Sequence, residues 1–390
     1  MSREVLTLNK ISPVGLSRLE ARGYVCGDSV NNPQAVLVRS ASMHEMAIPE
    51  SVQAIARAGA GVNNIPVDLC SEKGIAVFNT PGANANAVKE LVLTGLLLSS
   101  RKVVDAIEWV KTVKDEPELS KLIEKGKSRF AGPELLGKKL GVIGLGAIGA
   151  LVANAACGLG MEVLGYDPFL SVRGALNLSD AVGYTESLKD IFSSCDYITV
   201  HVPLLDATKG MINKEALSSM KDGVRIMNFS RGGLVNDEDL LEAVESGKVA
   251  CYVTDFPSAK LIGKDGVVAI PHLGASTPES EENCAVMAAD EIADYLENGN
   301  IRNSVNLPAV SAARSTDCRL CVIHRNLPDA LSEITAAVSK AGFPASAVVS
   351  KSKKDLAYTI ADIDLGGNDA DLDELLASVE GVIKVRVIKD

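Results

Sequence analysis

The chain has 390 residues, room for about 2.6 domains at roughly 150 residues each. Its 39 basic and 50 acidic side chains leave a formal charge of −11, which argues against nucleic acid or an anionic membrane as the main partner. An aromatic content of 4% leaves little for stacking bases.

The first hundred residues alternate short apolar runs with helical patterns, the rhythm of a parallel sheet covered by helices on both faces. Strands are expected at 36–38 and 75–78, and a helix at 52–58. One long helix is expected over 88–110, followed by a charged, solvated connection over 111–127. The stretch 140–161 carries no charge and is long enough to span a bilayer. Glycines at 141, 144, 146, 149, 158 and 160 punctuate it, so a strand, a tight turn and a buried helix are expected instead.

From residue 139 the alternation is cleaner, with strands expected at 140–143, 163–166, 197–202, 224–228, 250–254 and 267–270. Asn236 is placed to cap a helix, with Asp237, Glu238 and Asp239 at the positive end of its dipole and Gly247 ending it. Thr277-Pro278 opens a last long helix. Residues 303–316, with Pro308 and many small side chains, read as a linker. Beyond it, strands at 320–324, 345–349, 356–364 and 382–388 alternate with helices. One helix carries Leu331, Ile334 and Val338 on one face and ends at Gly342; the other spans 371–379. The order β-α-β-β-α-β is ferredoxin-like.

Eight dispersed cysteines suggest no disulfide framework, and Met1-Ser2-Arg3-Glu4 leads into no apolar leader, so the expected compartment is the cytoplasm. Cys318, Cys321 and His324 are three residues apart, which on a strand alternates faces; no metal site is expected.

Gly144-Leu145-Gly146-Ala147-Ile148-Gly149 is a G-x-G-x-x-G run after an apolar strand and at the start of a helix, and Asp167 ends the next strand. This is the dinucleotide-binding context. Gly144 permits the turn, Gly146 lets the backbone approach a pyrophosphate, Gly149 permits close helix–strand packing, and the diphosphate sits on the helix N-terminus. Asp167 suits a ribose diol and repels a 2′-phosphate, so NAD is expected as cofactor rather than NADP. The fingerprint lies far from the N-terminus, which suggests a nucleotide domain inserted between two parts of another.

Several stretches resemble the D-2-hydroxyacid dehydrogenase family, in particular its branch acting on D-3-phosphoglycerate. They are Ala56 to Ile65, Asn79-Thr80-Pro81-Gly82, the fingerprint with Asp167, His201-Val202-Pro203-Leu204, Asn228-Phe229-Ser230-Arg231-Gly232-Gly233 and Pro271-His272-Leu273-Gly274. Residues 316–390, with Val322-Ile323-His324-Arg325-Asn326-Leu327-Pro328, resemble an ACT regulatory domain.

The resemblance implies an α/β architecture. A Rossmann-type doubly wound parallel sheet (99–280) is inserted in a flavodoxin-like substrate lobe (1–98 and 281–303), followed by a linker (304–315) and a ferredoxin-like ACT unit. It implies NAD-dependent oxidation of D-3-phosphoglycerate to 3-phosphohydroxypyruvate, at the start of serine biosynthesis, in a cleft between lobes. Arg231 matches the catalytic arginine and His272 the catalytic histidine. A guanidinium can clamp a carboxylate through paired hydrogen bonds, and an imidazole can take the hydroxyl proton. Gly144, Gly146, Ala147, Ile148, Gly149, Asp167, Pro203, Phe229, Ser230, Arg231, Asp255, His272 and Gly274 match cofactor-binding positions. Arg39, Ser40, Arg57, Gly59 and Asn79 match the substrate side, where extra cations suit a phosphorylated acid.

Homodimers or homotetramers are implied, with an amino-acid effector at His324 and Asn326 as one possible role of the ACT unit and assembly as the other. The family's glutamate partner of the histidine falls on Ala259, and no glutamate stands nearby. Asp255 remains for the nicotinamide carboxamide or for His272. Two further readings stay open: a hydroxypyruvate or glyoxylate reductase, and a non-catalytic NAD-binding regulator.

Overall fold

The computed structural model describes residues 3–365 and 372–389. The chain forms two compact units, Met1–Asn84 with Pro278–Asp390, and Ala85–Thr277.

The first unit is built on a parallel sheet of Arg3–Leu8, Tyr24–Gly27, Ala35–Val38, Ala54–Arg57 and Ala76–Phe78. Their spatial order, second-first-third-fourth-fifth, is flavodoxin-like. The expected helix at 52–58 is instead the strand Ala54–Arg57, paired on both sides. Ala54, Ile55 and Ala56 are fully buried, so the run has no polar face from which a period could be read. The helix Pro278–Asn298 packs back onto this sheet, and Ala285, Ala288, Ala289, Ile292 and Tyr295 share a core with Leu37, Ala56 and Phe78. The helix Pro13–Glu20 crosses it so closely that a Cβ at Gly15 would lie 2.6 Å from Ala285. Glycine is what permits the approach.

The C-terminal sheet belongs to this same unit. Cys318–Arg325, Ala345–Lys353, Leu356–Ile363 and Val382–Lys389 form an antiparallel sheet with the ferredoxin-like order. Helices Ala330–Lys340 and Leu372–Ala377 cover one face, burying Ile334, Val338, Leu372 and Leu376 with Leu320 and Val322. Leu331, expected on the buried face, is 38% exposed. Residue 371 of the expected second helix lies outside the described residues.

The other face, with Cys321, Ile323, Tyr358 and Ile360, enters the core of the parallel sheet and its helix. Here carbonyls at the end of Pro278–Asn298 and of Gly299 find donors. Arg386 Nη2 donates to the Tyr295 and Leu296 oxygens at 3.2 and 3.3 Å, Arg319 Nη1 to Asn298 O at 2.9 Å, and the Tyr358 hydroxyl to Gly299 O at 2.6 Å. Guanidinium groups at a helix C-terminus also oppose its negative dipole end. The segment expected as a linker is packed rather than free: Leu307 and Val310 are 1% exposed, and Val310 bridges to Ile301.

The second unit holds seven parallel strands. In chain order they are Lys139–Ile143, Glu162–Tyr166, Val182–Tyr184, Tyr197–Val200, Val224–Asn228, Val249–Thr254 and Val267–Ala269. Across the sheet the order is 7-6-5-4-1-2-3, doubly wound. Asn236 caps Asp237–Glu245 as expected, its Oδ1 accepting from the Glu238 and Asp239 amides at 3.0 and 3.2 Å. The long helix expected over 88–110 is two, Ala85–Arg101 and Val103–Thr112, broken at Lys102 with φ 45°. The charged stretch after it holds a further helix, Leu119–Gly126, with no buried residue. No described helix is long and apolar enough to cross a membrane.

Candidate active site

In a doubly wound sheet ligands gather where the strands end at their carboxyl edge. Following the second unit's strands in spatial order, that edge carries a candidate group at six of the seven strand ends. His272–Gly274 follow Val267–Ala269, and Asp255 ends Val249–Thr254. Phe229–Arg231 follow Val224–Asn228, and His201–Pro203 follow Tyr197–Val200. The fingerprint follows Lys139–Ile143, and Asp167 ends Glu162–Tyr166.

The glycine turn is built as its sequence requires. Gly144 has φ +93°, and a Cβ there would lie 2.5 Å from His201 O. A Cβ at Gly149 would overlap Gly144 O at 1.8 Å. A Cβ at Gly146 would point into open space, and no side chain caps the helix Ala147–Gly158 that begins beside it. Ala147 is exposed and Ile148 half-buried. The result is an uncapped helix N-terminus with clear approach, suited to a diphosphate. Asp167 braces this turn: Oδ2 accepts from the Leu145 amide at 2.8 Å and Oδ1 from the Phe169 amide at 2.9 Å. It is half-buried and keeps further acceptor capacity for a ribose diol. These residues fit NAD.

His201 is disfavoured as a charged group. Surrounding protein pushes its pKa down to about 4, Nε2 bonds Thr199 Oγ1 at 2.9 Å, and Nδ1 has no partner among the described residues. Pro203 beside it is exposed. Phe229 is 5% exposed and packs against Gly95, where a Cβ would meet its ring at 2.9 Å. Ser230 Oγ donates to Val202 O at 2.7 Å, joining neighbouring strand ends.

Arg231 is exposed, its Nη1 donating to Ser230 O at 2.6 Å and its carbonyl held by Asn228 Nδ2 at 2.9 Å. His272 is exposed, and its ring lies 4.5 Å from that of Phe256, a contact not anticipated from sequence although Phe256 directly follows Asp255. Asp255 is 1% exposed. Its Oδ2 accepts from the Gly274 amide at 3.1 Å, and Oδ1 has no partner among the described residues. Burial raises its pKa, while the Gly274 amide and the charges of His272 and Arg231 pull it back.

In the first unit the remaining candidates also meet at the carboxyl edge, on three adjacent strands. Arg39 follows Ala35–Val38, Arg57 ends Ala54–Arg57, and Asn79 follows Ala76–Phe78. Arg57 Nε donates to Arg39 O at 2.9 Å and Nη1 to Gly61 O. Its guanidinium lies over Gly59, where a Cβ would stand 3.4 Å from Cζ. Arg39 Nη2 pairs with Glu281 Oε1 at 2.6 Å. The Ser40 amide donates to Asn9 Oδ1 at 3.1 Å, and Asn79 Nδ2 donates to Ala60 O.

The C-terminal candidates lie elsewhere in this unit. His324 is 2% exposed, with Nδ1 on Arg325 O at 2.8 Å and Nε2 on Thr359 Oγ1 at 2.9 Å, so both ring nitrogens are engaged inside the sheet. Burial lowers its pKa. Asn326 is exposed, with Nδ2 donating to Lys354 O at 3.2 Å. No group of three His, Cys, Asp or Glu able to hold a metal occurs among the described residues.

Residues 93–274 match the model of the D-isomer specific 2-hydroxyacid dehydrogenase NAD binding domain. The chain is 36% identical over 287 residues to the D-3-phosphoglycerate dehydrogenase of Archaeoglobus fulgidus, covering 71% of this chain and 52% of that protein. It is 36% identical over 294 residues to that of Synechocystis sp., covering 73% and 50%. It thus spans about half the length of the curated relatives it matches. The crystal structure of NAD+-bound 3-phosphoglycerate dehydrogenase from Entamoeba histolytica has a TM-score of 0.60 and 26% identity, covering 78% of this chain and 99% of that one. The second unit thus matches, over residues 93–274, the NAD-binding domain of the D-isomer specific 2-hydroxyacid dehydrogenases.

Proposed function

We propose that this protein oxidises D-3-phosphoglycerate to 3-phosphohydroxypyruvate with NAD, the reaction that opens serine biosynthesis. The observation that carries the reading is the row of Arg231, Asp255 and His272–Gly274 on three adjacent strand ends of an NAD-type sheet. The similarity to proteins named D-3-phosphoglycerate dehydrogenase supports the choice of substrate.

NAD, when bound, supplies the acceptor for the hydride that leaves C2. The turn at Gly144–Gly149 and the open helix N-terminus would hold the diphosphate, and Asp167 would hold the ribose diol. Arg231 clamps the substrate carboxylate through paired N–H groups. The exposed His272 imidazole takes the hydroxyl proton. Phe256 against its ring and the Asp255–Gly274 bond limit how far the His272 loop can turn. Arg39 and Arg57 supply cations suited to a phosphate group.

Formation of NADH with D-3-phosphoglycerate tests the proposal. Turnover on D-3-phosphoglycerate well above that on glyoxylate or hydroxypyruvate, run in the reductive direction, is the expected result. Preference for the unphosphorylated acids removes the substrate assignment, and no turnover on any 2-hydroxy acid removes the activity.

A further inference from the structure

Beside the carboxyl end of the strand Ala76–Phe78, the first unit holds a cavity of about 730 Å³ along one face of the helix Pro278–Asn298. Phe78, Val286 and Met287 form part of its wall, and Glu291, Asp294 and Arg302 supply charge. Its volume falls within the range of small-molecule sites.

The acidic groups here are not equivalent. Asp290 is held by Arg18 through two bonds of 3.0 and 2.6 Å. Asp294 accepts from Asn298 and Asn300 at 3.0 and 2.9 Å and meets Arg302 Nε at 3.3 Å. Glu291 is only 7% exposed. Its Oε1 accepts from Asn303 Nδ2 at 2.6 Å, and its Oε2 has no partner among the described residues. A buried carboxylate oxygen with nothing to accept from is costly. Burial raises the Glu291 pKa, and the Arg302 charge only partly offsets this.

We propose that this cavity binds a small organic cation, a primary ammonium seated on Glu291 with its apolar body along Phe78, Val286 and Met287. An ammonium group brings the donors and the charge that Glu291 lacks. A metal ion suits the cavity poorly, because no three-ligand cluster occurs among the described residues. An anion would face three carboxylates against the two arginines of the lining, both already paired. The ammonium could come from a simple amine or from an amino acid.

The test is titration calorimetry of the full chain with n-butylammonium chloride, with n-butanol and sodium chloride as controls and leucine as the amino-acid arm. Saturable binding of n-butylammonium or leucine, absent for n-butanol and sodium chloride, is expected; whichever binds tighter identifies the source. Glu291→Gln keeps the bond to Asn303 and removes the charge, and affinity should fall at least tenfold. Val286→Trp fills the cavity with Glu291 intact and should also abolish binding. Absence of saturable binding, equal binding of n-butanol, or unchanged affinity in Glu291→Gln overturns the proposal.

Discussion

Asp255 Oδ2 accepts the Gly274 amide at 3.1 Å, so one strand end is tied directly to the loop that carries His272. In this chain alanine stands where the family's histidine-pairing glutamate is expected, at position 259. The Asp255 carboxylate reaches the histidine loop through backbone instead. Its other oxygen, Oδ1, is buried without a partner among the described residues.

This tie predicts the effect of Asp255→Ala. Losing a hydrogen bond to a charged acceptor costs about 1.5–3 kcal/mol, or roughly 10- to 100-fold in kcat/KM if it positions the reacting loop. Asp255→Asn retains an acceptor for Gly274 and should lose less. Steady-state NADH formation by the two variants decides it; equal losses would point to the charge rather than the tie.

Arg231 and His272 should fail differently. His272→Gln should lower kcat by about 10²–10⁴, the usual contribution of a positioned acid–base group. Arg231→Lys keeps the charge but loses the planar fork, and should cost about 10- to 100-fold in kcat/KM for any 2-hydroxy acid. Near-normal turnover of the His272 variant would transfer the base role elsewhere.

Asp167 braces the glycine turn through Leu145 and Phe169, and the proposed function gives it a second role, excluding a 2′-phosphate. Asp167→Asn should therefore raise KM for NAD while narrowing the gap between NAD and NADP. Initial rates with both cofactors check this, and an unchanged ratio would leave Asp167 only the bracing role.

Glu291 makes the stability depend on pH with a definite sign. Burial raises its pKa from 4.5 to about 7, so the folded chain holds a proton that the unfolded chain releases. Its stabilising effect is complete below about pH 4.5 and is lost as pH rises through about 7. The full span is about 3 kcal/mol. Glu291→Gln should thus match the parent near pH 4 and exceed it near pH 8, in denaturant melts at both values. A constant difference across that range would contradict the shifted pKa.

The C-terminal sheet is pinned by Arg319 and Asp362, paired at 2.7 and 3.0 Å with side chains 0% and 2% exposed. Asp362→Ala strands the guanidinium and should cost about 3–5 kcal/mol. Replacing both residues with apolar side chains should recover most of that. Because this sheet shares a core with the helix Pro278–Asn298, the loss should appear in one transition with the parallel sheet beneath it. A separate early transition would show the sheet to be independent.

Local patterns carried much of this. The fingerprint turn, Asp167 and the capping by Asn236 depend on residues close in sequence, and each is found as its spacing implies. The β-α-β-β-α-β order likewise follows from alternation within single strands. Ala54–Arg57 was illegible as a strand because burial on both faces erases the period, and the break at Lys102 was marked only by the adjacent charges of Arg101 and Lys102.

The row of strand ends that assembles Arg231, Asp255 and His272 needs the sheet order, and short segments do not specify which strands become neighbours. Glu291 shows the limit most directly. By sequence it is one acid among many on a helix; only the fold buries it, because its energy depends on the distant chain that excludes water from around it. Sequence by itself determined the chemistry available to this protein: a dinucleotide turn, an imidazole, a set of guanidinium groups. Tertiary structure decided which of those groups are exposed to react and which are buried to hold, since desolvation is set by all that packs around a group and not by its neighbours along the chain.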